Sequence, residues 1–227
     1  MDWNQLLFVV FPYVSITLFI AVTIYRVKYR PFTISSLSSQ LLEGKQLYWG
    51  SIPFHHGILW ILLFHLIALL TPKALLVWNA VPIRLYLLEI SGFILGLWAL
   101  GGVVLLFWRR MTVAYIKAVT TPMDIVVLLL TLVSILTGVL TAALYRFGSV
   151  WFTGVFTPYL WSILTLQPRP ELVAPLPWLV QLHLFNNFAL LALLPFSRLV
   201  HILSWPLDYL VRPWQIVIGM VSRKATK

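Results

Sequence analysis

Along the chain, long apolar runs alternate with short stretches that hold most of the polar, charged and proline residues. Five runs stand out, at residues 4–25, 52–71, 86–108, 124–145 and 177–203. Each is close to the roughly 20 helical residues that a bilayer crossing takes, and a helix is the open-chain element that satisfies its own backbone in lipid. The pattern predicts an all-α integral membrane protein, a single domain over residues 1–227 built as a bundle of five transmembrane helices. The runs are punctuated by RVKYRPFTISSLSSQLLEGKQ after the first, TPKALLVWNAVP after the second and RRMTVAYIKAVTTP after the third. Residues 146–176 are apolar enough for membrane contact but carry Gly154, Pro158 and a proline-rich exit, so they read as an outer interfacial loop and not as a sixth span. At the head of span four, Thr121 as N-cap, Pro122 at the first helical position and Asp124 at the third form the pattern of a capping box.

Composition sharpens this picture. Hydrophobic residues make up 61% of the chain and charged residues 10%, against about 25% charged in soluble domains. A formal charge of +10 would suggest a nucleic-acid partner in a soluble chain, but here the charges lie between the apolar runs and topology accounts for them. Arg26, Lys28, Arg30, Lys45, Arg109, Arg110, Lys117, Arg198, Arg212, Arg223, Lys224 and Lys227 fall on one side, and only Lys73, Arg84, Arg146 and Arg169 on the other. The positive-inside rule then puts the N-terminus outside and the C-terminus in the cytoplasm. The first run has no basic region before it and a basic one after it, which reads as a retained helix of a multi-pass cell-membrane protein and not as a cleaved signal. The absence of cysteine excludes disulfides, thiolate zinc sites, cysteine-held iron–sulfur clusters and covalently attached c-type haem.

The candidate chemistry lies in the histidines. His55, His56, His65 and His183 fall inside predicted spans, and His201 sits at the inner end of the fifth. Ionisable groups inside lipid are costly and mark function by default. Span two enters from the cytoplasm, so His55 lies near the inner face and His65, about 15 Å of helix further on, toward the outer side. Span five runs the other way, which sets His183 level with His65 and His201 level with His55. The 18 residues from His183 to His201 make five turns of straight helix, about 27 Å, and put both rings on one face. His55 and His65 are less well aligned on span two, roughly 80° apart around the helix at about 100° per residue. Two flat cofactors stacked across the membrane fit this arrangement, each held by one imidazole from each helix. Haem is the cofactor that takes two trans imidazoles, and without cysteine it is non-covalent b-type haem. The competing readings are hydrogen bonds between helices and, less well supplied with ligands, zinc or copper. His56 points about 100° away from His55 and reads as a packing residue.

The segments FHHGILWILLFHLIALLTP (54–72) and HLFNNFALLALLPFSRLVHILSWPLDYL (183–210) resemble the gamma subunit, cytochrome b, of respiratory nitrate reductase. The pair Arg109 and Arg110, with AVTTPMDI further along, is similar to the same family's inner-face loop, and the resemblance covers nearly the whole chain. It implies an electron-transfer subunit that oxidises quinol and passes electrons inward to a cytoplasmic iron–sulfur beta subunit and a molybdenum-containing alpha subunit. It also implies an outer haem on His65 and His183 and an inner haem on His55 and His201, the pairing that the levels give. Arg198, Arg109 and Arg110 are candidates for haem propionate partners or for docking the soluble subunits. Arg198 stands first, because it lies three residues before His201 and so on its face.

The chain departs from the family at the quinol site, with Tyr86 where a lysine is expected and Phe64 where a glycine precedes the outer-haem histidine. Arg84 and Tyr86 are the candidate hydrogen-bonding groups for quinol, and Glu89 the candidate proton acceptor. Two other functions remain in view. One is the same cytochrome module in a sulfite-reduction or heterodisulfide-type complex. The other is a proton-relay transporter, which the lack of an obvious inverted repeat and the scarcity of acids within the spans disfavour.

Overall fold

The computed structural model describes residues 2–30 and 42–202, the side chains of Val200 and His201 excepted. Its helices are α1 (Trp3–Tyr29), α2 (Lys45–Leu70), α3 (Pro72–Asn79), α4 (Pro82–Thr112), α5 (Ala114–Ala118), α6 (Pro122–Leu144), α7 (residues 148–164) and α8 (Trp178–Leu193, continued by a 3-10 turn Leu194–Phe196). Short 3-10 stretches at Pro170–Leu172 and Arg198–Ile202 complete the path. Among the described residues, five helices, α1, α2, α4, α6 and α8, are long and apolar enough to cross a membrane. Several extend beyond the apolar runs; α2, for instance, begins at Lys45 and passes through Pro53.

The capping box forms as the sequence predicts. The Thr121 amide donates to the Asp124 carboxylate at 2.9 Å, and the Asp124 amide donates to Thr121 Oγ1 at 3.3 Å. Asp124 does more than cap, since it also meets Arg110 Nη1 at 3.3 Å and Arg198 Nε at 3.2 Å. Together with Arg109 on Glu43 and Arg26 on the Pro195 carbonyl, this defines a basic end of the bundle.

Among the described residues the interior has two apolar clusters. In one, Ala99 and Val103 of α4 meet Ile135 and Val139 of α6, with Phe54 and Ile58 of α2 against them. Glycines let α2 and α4 approach closely here, because a Cβ on Gly57 would fall 2.6 Å from the Leu95 carbonyl oxygen. The other cluster joins Phe8 of α1, Phe156, Tyr159 and Ile163 of α7, and Leu184 and Phe188 of α8.

Residues 148–164 correct the loop reading. They form helix throughout, as Gly148–Trp151, a π turn Phe152–Phe156 and Thr157–Leu164. The π turn comes directly before Pro158, where the wider winding takes up a residue that cannot donate an amide. α1 repeats the device, with a π turn at Leu6–Val10 ahead of Pro12. Pro12 has no N–H to give to the carbonyl four residues back, and that carbonyl, on Phe8, accepts the Tyr159 hydroxyl at 2.8 Å. Tyr13 returns the contact by donating to the Ile163 carbonyl at 3.1 Å in the last turn of α7.

The fifth span also differs from the straight helix of the sequence reading. α8 stops at Leu193; a 3-10 turn follows through Pro195, and Ser197 is extended at φ −106°, ψ 176°. Pro195 cannot donate to Leu191, so the α-helical ladder ends there. The count of five regular turns between His183 and His201 therefore does not describe the path of the chain.

Candidate functional site

α2 and α8 carry the candidate ligands and are held apart. α2 packs mainly on α4, and α8 on α6 and α1, while α2 and α8 make few direct contacts among the described residues. His65 on α2 is exposed. His183 on α8 is half-buried. Phe152, from the π turn of α7, sets its ring edge-on to His65 with centroids 5.1 Å apart.

The hydrogen bonds fix what each imidazole can offer. His65 Nδ1 lies 2.7 Å from the Ile61 carbonyl oxygen, and His55 Nδ1 lies 2.8 Å from that of Ser51 and 3.0 Å from its hydroxyl. A carbonyl only accepts, so in both rings Nδ1 carries the proton and Nε2 the lone pair. His183 Nδ1 lies 2.9 Å from the Thr137 hydroxyl of α6. An imidazole whose Nδ1–H is bound to an oxygen while Nε2 keeps its lone pair is the arrangement that metal-ligating histidines adopt.

The floor under His183 is Gly138, where a Cβ would come within 3.1 Å of the ring's Cε1. Ser134 donates to Asn187 Oδ1 at 2.6 Å, Asn187 donates to the His183 carbonyl at 2.8 Å, and Asn186 donates to the Leu130 carbonyl at 2.9 Å. These bonds lock the face of α8 that bears His183 onto α6. The sequence reading missed Thr137, Gly138 and Ser134. Their signal was present as Thr131, Ser134, Thr137 and Thr141, small polar residues spaced three or four apart along one side of an otherwise apolar span.

The structure distributes the other candidates. His56 stacks on Trp98 at 6.0 Å with its ring tilted 20°, a packing contact as the sequence suggests. The backbone of His201 lies in the stretch Arg198–Ile202, but its side chain is outside the described residues, so its pairing with His55 has no geometry here. Arg109 is buried, with Nε 2.6 Å from Glu43 Oε2 and Nη2 donating to the Glu43 carbonyl at 2.7 Å. Arg110 and Arg198 share Asp124. At the opposite end, Arg84 lies over the Trp78 ring at 5.2 Å, and exposed Tyr86 faces Phe147 at 6.3 Å. Glu89 accepts from the amide and hydroxyl of Ser149, at 2.8 Å and 2.6 Å, and from the Gly148 amide at 3.3 Å. It thereby anchors the start of α7, the helix that brings Phe152 to His65.

Among the described residues no group of three or more His, Cys, Asp or Glu is gathered as a metal shell. Zinc in a protein site draws three or four such ligands, whereas a haem iron needs only axial ones. Imidazoles with the lone pair on Nε2 and a floor that a methyl group would fill fit haem better than a bare ion.

Comparison with known proteins agrees with this architecture. Residues 4–220 match the family model described as nitrate reductase gamma subunit. The chain is 32% identical to the nitrate reductase gamma chain of Bacillus subtilis (strain 168), covering 94% of this chain and 97% of that one. It is likewise 32% identical to the respiratory nitrate reductase 1 gamma chain of Escherichia coli (strain K12), covering 94% and 96%. The nitrate reductase-like protein NarX of Mycobacterium tuberculosis (strain ATCC 25618 / H37Rv) is 35% identical, and there the match covers 94% of this chain but only 33% of the relative, so the chain spans about a third of that longer protein. Matched over nearly its full length, the chain belongs to the nitrate reductase gamma subunit family.

Proposed function

We propose that the chain is the di-haem b, quinol-oxidising membrane subunit of a respiratory nitrate reductase. The observation that carries this reading is the hydrogen bonding of Nδ1 in His55, His65 and His183, which leaves Nε2 as the basic nitrogen in each ring. His65 and His183 are the ligands of the outer haem, and His55 and His201 those of the inner one. The haems supply one-electron redox chemistry when bound.

The chain's own part is to hold, orient and separate. Ile61, Thr137 and Ser51 orient the imidazoles, and Gly138 leaves His183 its room. Quinol enters at the end of the bundle that carries Arg84, Tyr86 and Glu89, where the Tyr86 hydroxyl and the Arg84 guanidinium can hydrogen-bond its oxygens. Glu89 already accepts three hydrogen bonds from α7, so its first role is to place Phe152 against His65. Protons from quinol leave at that end, which faces outward under the positive-inside rule. Electrons leave at the basic end, toward an iron–sulfur beta subunit and a molybdenum-containing alpha subunit in the cytoplasm. There Arg110 and Arg198 are better propionate or docking partners than Arg109, which Glu43 encloses. The basic end carries inner-face charge, as expected for a multi-pass protein of the cell membrane.

The test is haem stoichiometry. Purified with its companion subunits, the wild-type complex is expected to yield two b haems per chain by pyridine haemochrome assay. No haem in a complex assembled under haem-replete growth would overturn the reading.

A further inference from the structure

We propose that Thr137 is a positioning residue for His183. Its hydroxyl accepts the Nδ1 proton, thereby fixing the nitrogen that faces iron and strengthening it as a donor. The inference rests on the reading of His183 as a haem ligand.

The argument is a proton inventory. A threonine hydroxyl has one proton and two lone pairs. Thr137 Oγ1 lies 2.7 Å from the Val133 carbonyl oxygen and 3.1 Å from that of Ser134, and both can only accept. Its proton is therefore committed to its own helix, and a lone pair is what remains for His183 Nδ1 at 2.9 Å. Nδ1 must then be the protonated nitrogen. Thr137 is only 4% exposed, so water does not compete for the hydroxyl, and its β-branched side chain has few rotamers to explore. His55 and His65 bond instead to carbonyls four residues back in their own helix. His183 alone of the three takes its acceptor from a neighbouring helix, which ties the ring's orientation to the packing of α6 on α8.

A hydroxyl already donating to a carbonyl is polarised into a better acceptor. The bond from Nδ1–H pushes electron density onto the imidazole, raises its basicity as a ligand and favours oxidised iron. Without the hydroxyl the ring is a weaker donor and is less firmly oriented.

The experiment compares wild type, Thr137→Val and Thr137→Ser in the membrane-bound complex, by redox titration of each haem's absorbance and low-spin electron paramagnetic resonance signal. Valine keeps the shape and removes the hydroxyl. The expected result is an upward shift of the outer-haem potential in Thr137→Val, with the inner haem unchanged and outer-haem retention weakened about tenfold, the lower end of the range for such second partners. Thr137→Ser is expected to match wild type on every readout. An outer-haem potential that is the same in Thr137→Val as in wild type would overturn the proposal, because the neighbouring Ser134 carbonyl would then suffice. Loss of the outer haem in both variants would also overturn it, since shape and not the hydroxyl would be what matters. A wild-type complex without haem fails the underlying reading instead, and does so before any variant is compared.

Discussion

A methyl group placed on Gly138 would lie 3.1 Å from Cε1 of His183, closer than a side chain can sit without the ring moving. Helix packing here has been cut to the outline of one imidazole. Gly138→Ala is expected to tilt His183 and to lower outer-haem content about tenfold, by analogy with disturbed ligand support, while the inner haem stays bound. Gly101→Ala is the control, since a Cβ there meets nothing within 4 Å. Haem content by visible spectroscopy reads both variants, and equal haem in Gly138→Ala and wild type would count against this packing role.

Histidine substitutions are expected to separate the two proposed haems. His65→Ala and His183→Ala are each expected to halve the haem content by removing the outer haem, and His55→Ala and His201→Ala to remove the inner one. His56→Ala should keep both, because His56 stacks on Trp98 and has no ligand role in the account. Loss of haem in the His56 variant with His55 intact would make His56, and not His55, the inner-haem ligand.

Asp124 combines a helix cap with two ion pairs. Thr121→Ala removes the capping oxygen alone and is expected to cost about 1 kcal/mol. Asp124→Ala should cost more, because Arg110 and Arg198 also lose their anion. Thermal unfolding in detergent orders the two variants, and equal losses would mean that the ion pairs contribute nothing.

The bond between Tyr159 and the Phe8 carbonyl joins two helices that each carry a π turn ahead of a proline, and Tyr159 is fully buried. Tyr159→Phe leaves that carbonyl without its acceptor role filled and is expected to cost about 1–3 kcal/mol. Unfolding of the same detergent-solubilised protein gives the number, and a change near zero would mean that the carbonyl finds another donor.

Acid is expected to loosen the basic end. Hydrogen bonds from the Gln46 amide and from Arg109 hold the Glu43 carboxyl below its ordinary value of 4.5. A group with a lowered folded value contributes its stabilisation in full above the unfolded value and loses it as pH falls through the folded one. Stability should therefore decline as pH drops below 4.5, and Glu43→Gln should flatten this part of the decline. An unchanged acid slope in Glu43→Gln would assign it to other groups.

Much of this was legible in the sequence, for physical reasons that differ by element. A bilayer imposes its thickness on the chain, so the five spans stood out as apolar runs, and Thr121, Pro122 and Asp124 announced their cap by chemistry that depends only on local spacing. Residues 148–164 were misread because Gly154 and Pro158 look like breakers, whereas a π turn ahead of Pro158 lets the helix continue. The regular register from His183 to His201 breaks at Pro195, whose missing amide ends the helical ladder. Thr137 and Gly138 were hidden because their importance comes from what α8 presses against α6, a tertiary relation that no window of one helix contains.

The most direct test of the central claim is reduction of the membrane-bound complex by a quinol analogue, followed in the haem absorbance bands, for wild type and His65→Ala. The account predicts quinol-driven reduction of two b haems in wild type. In His65→Ala it predicts one remaining haem that dithionite reduces and quinol does not. Quinol reduction of the remaining haem at the wild-type rate, or the absence of any haem signal in wild type, would contradict it.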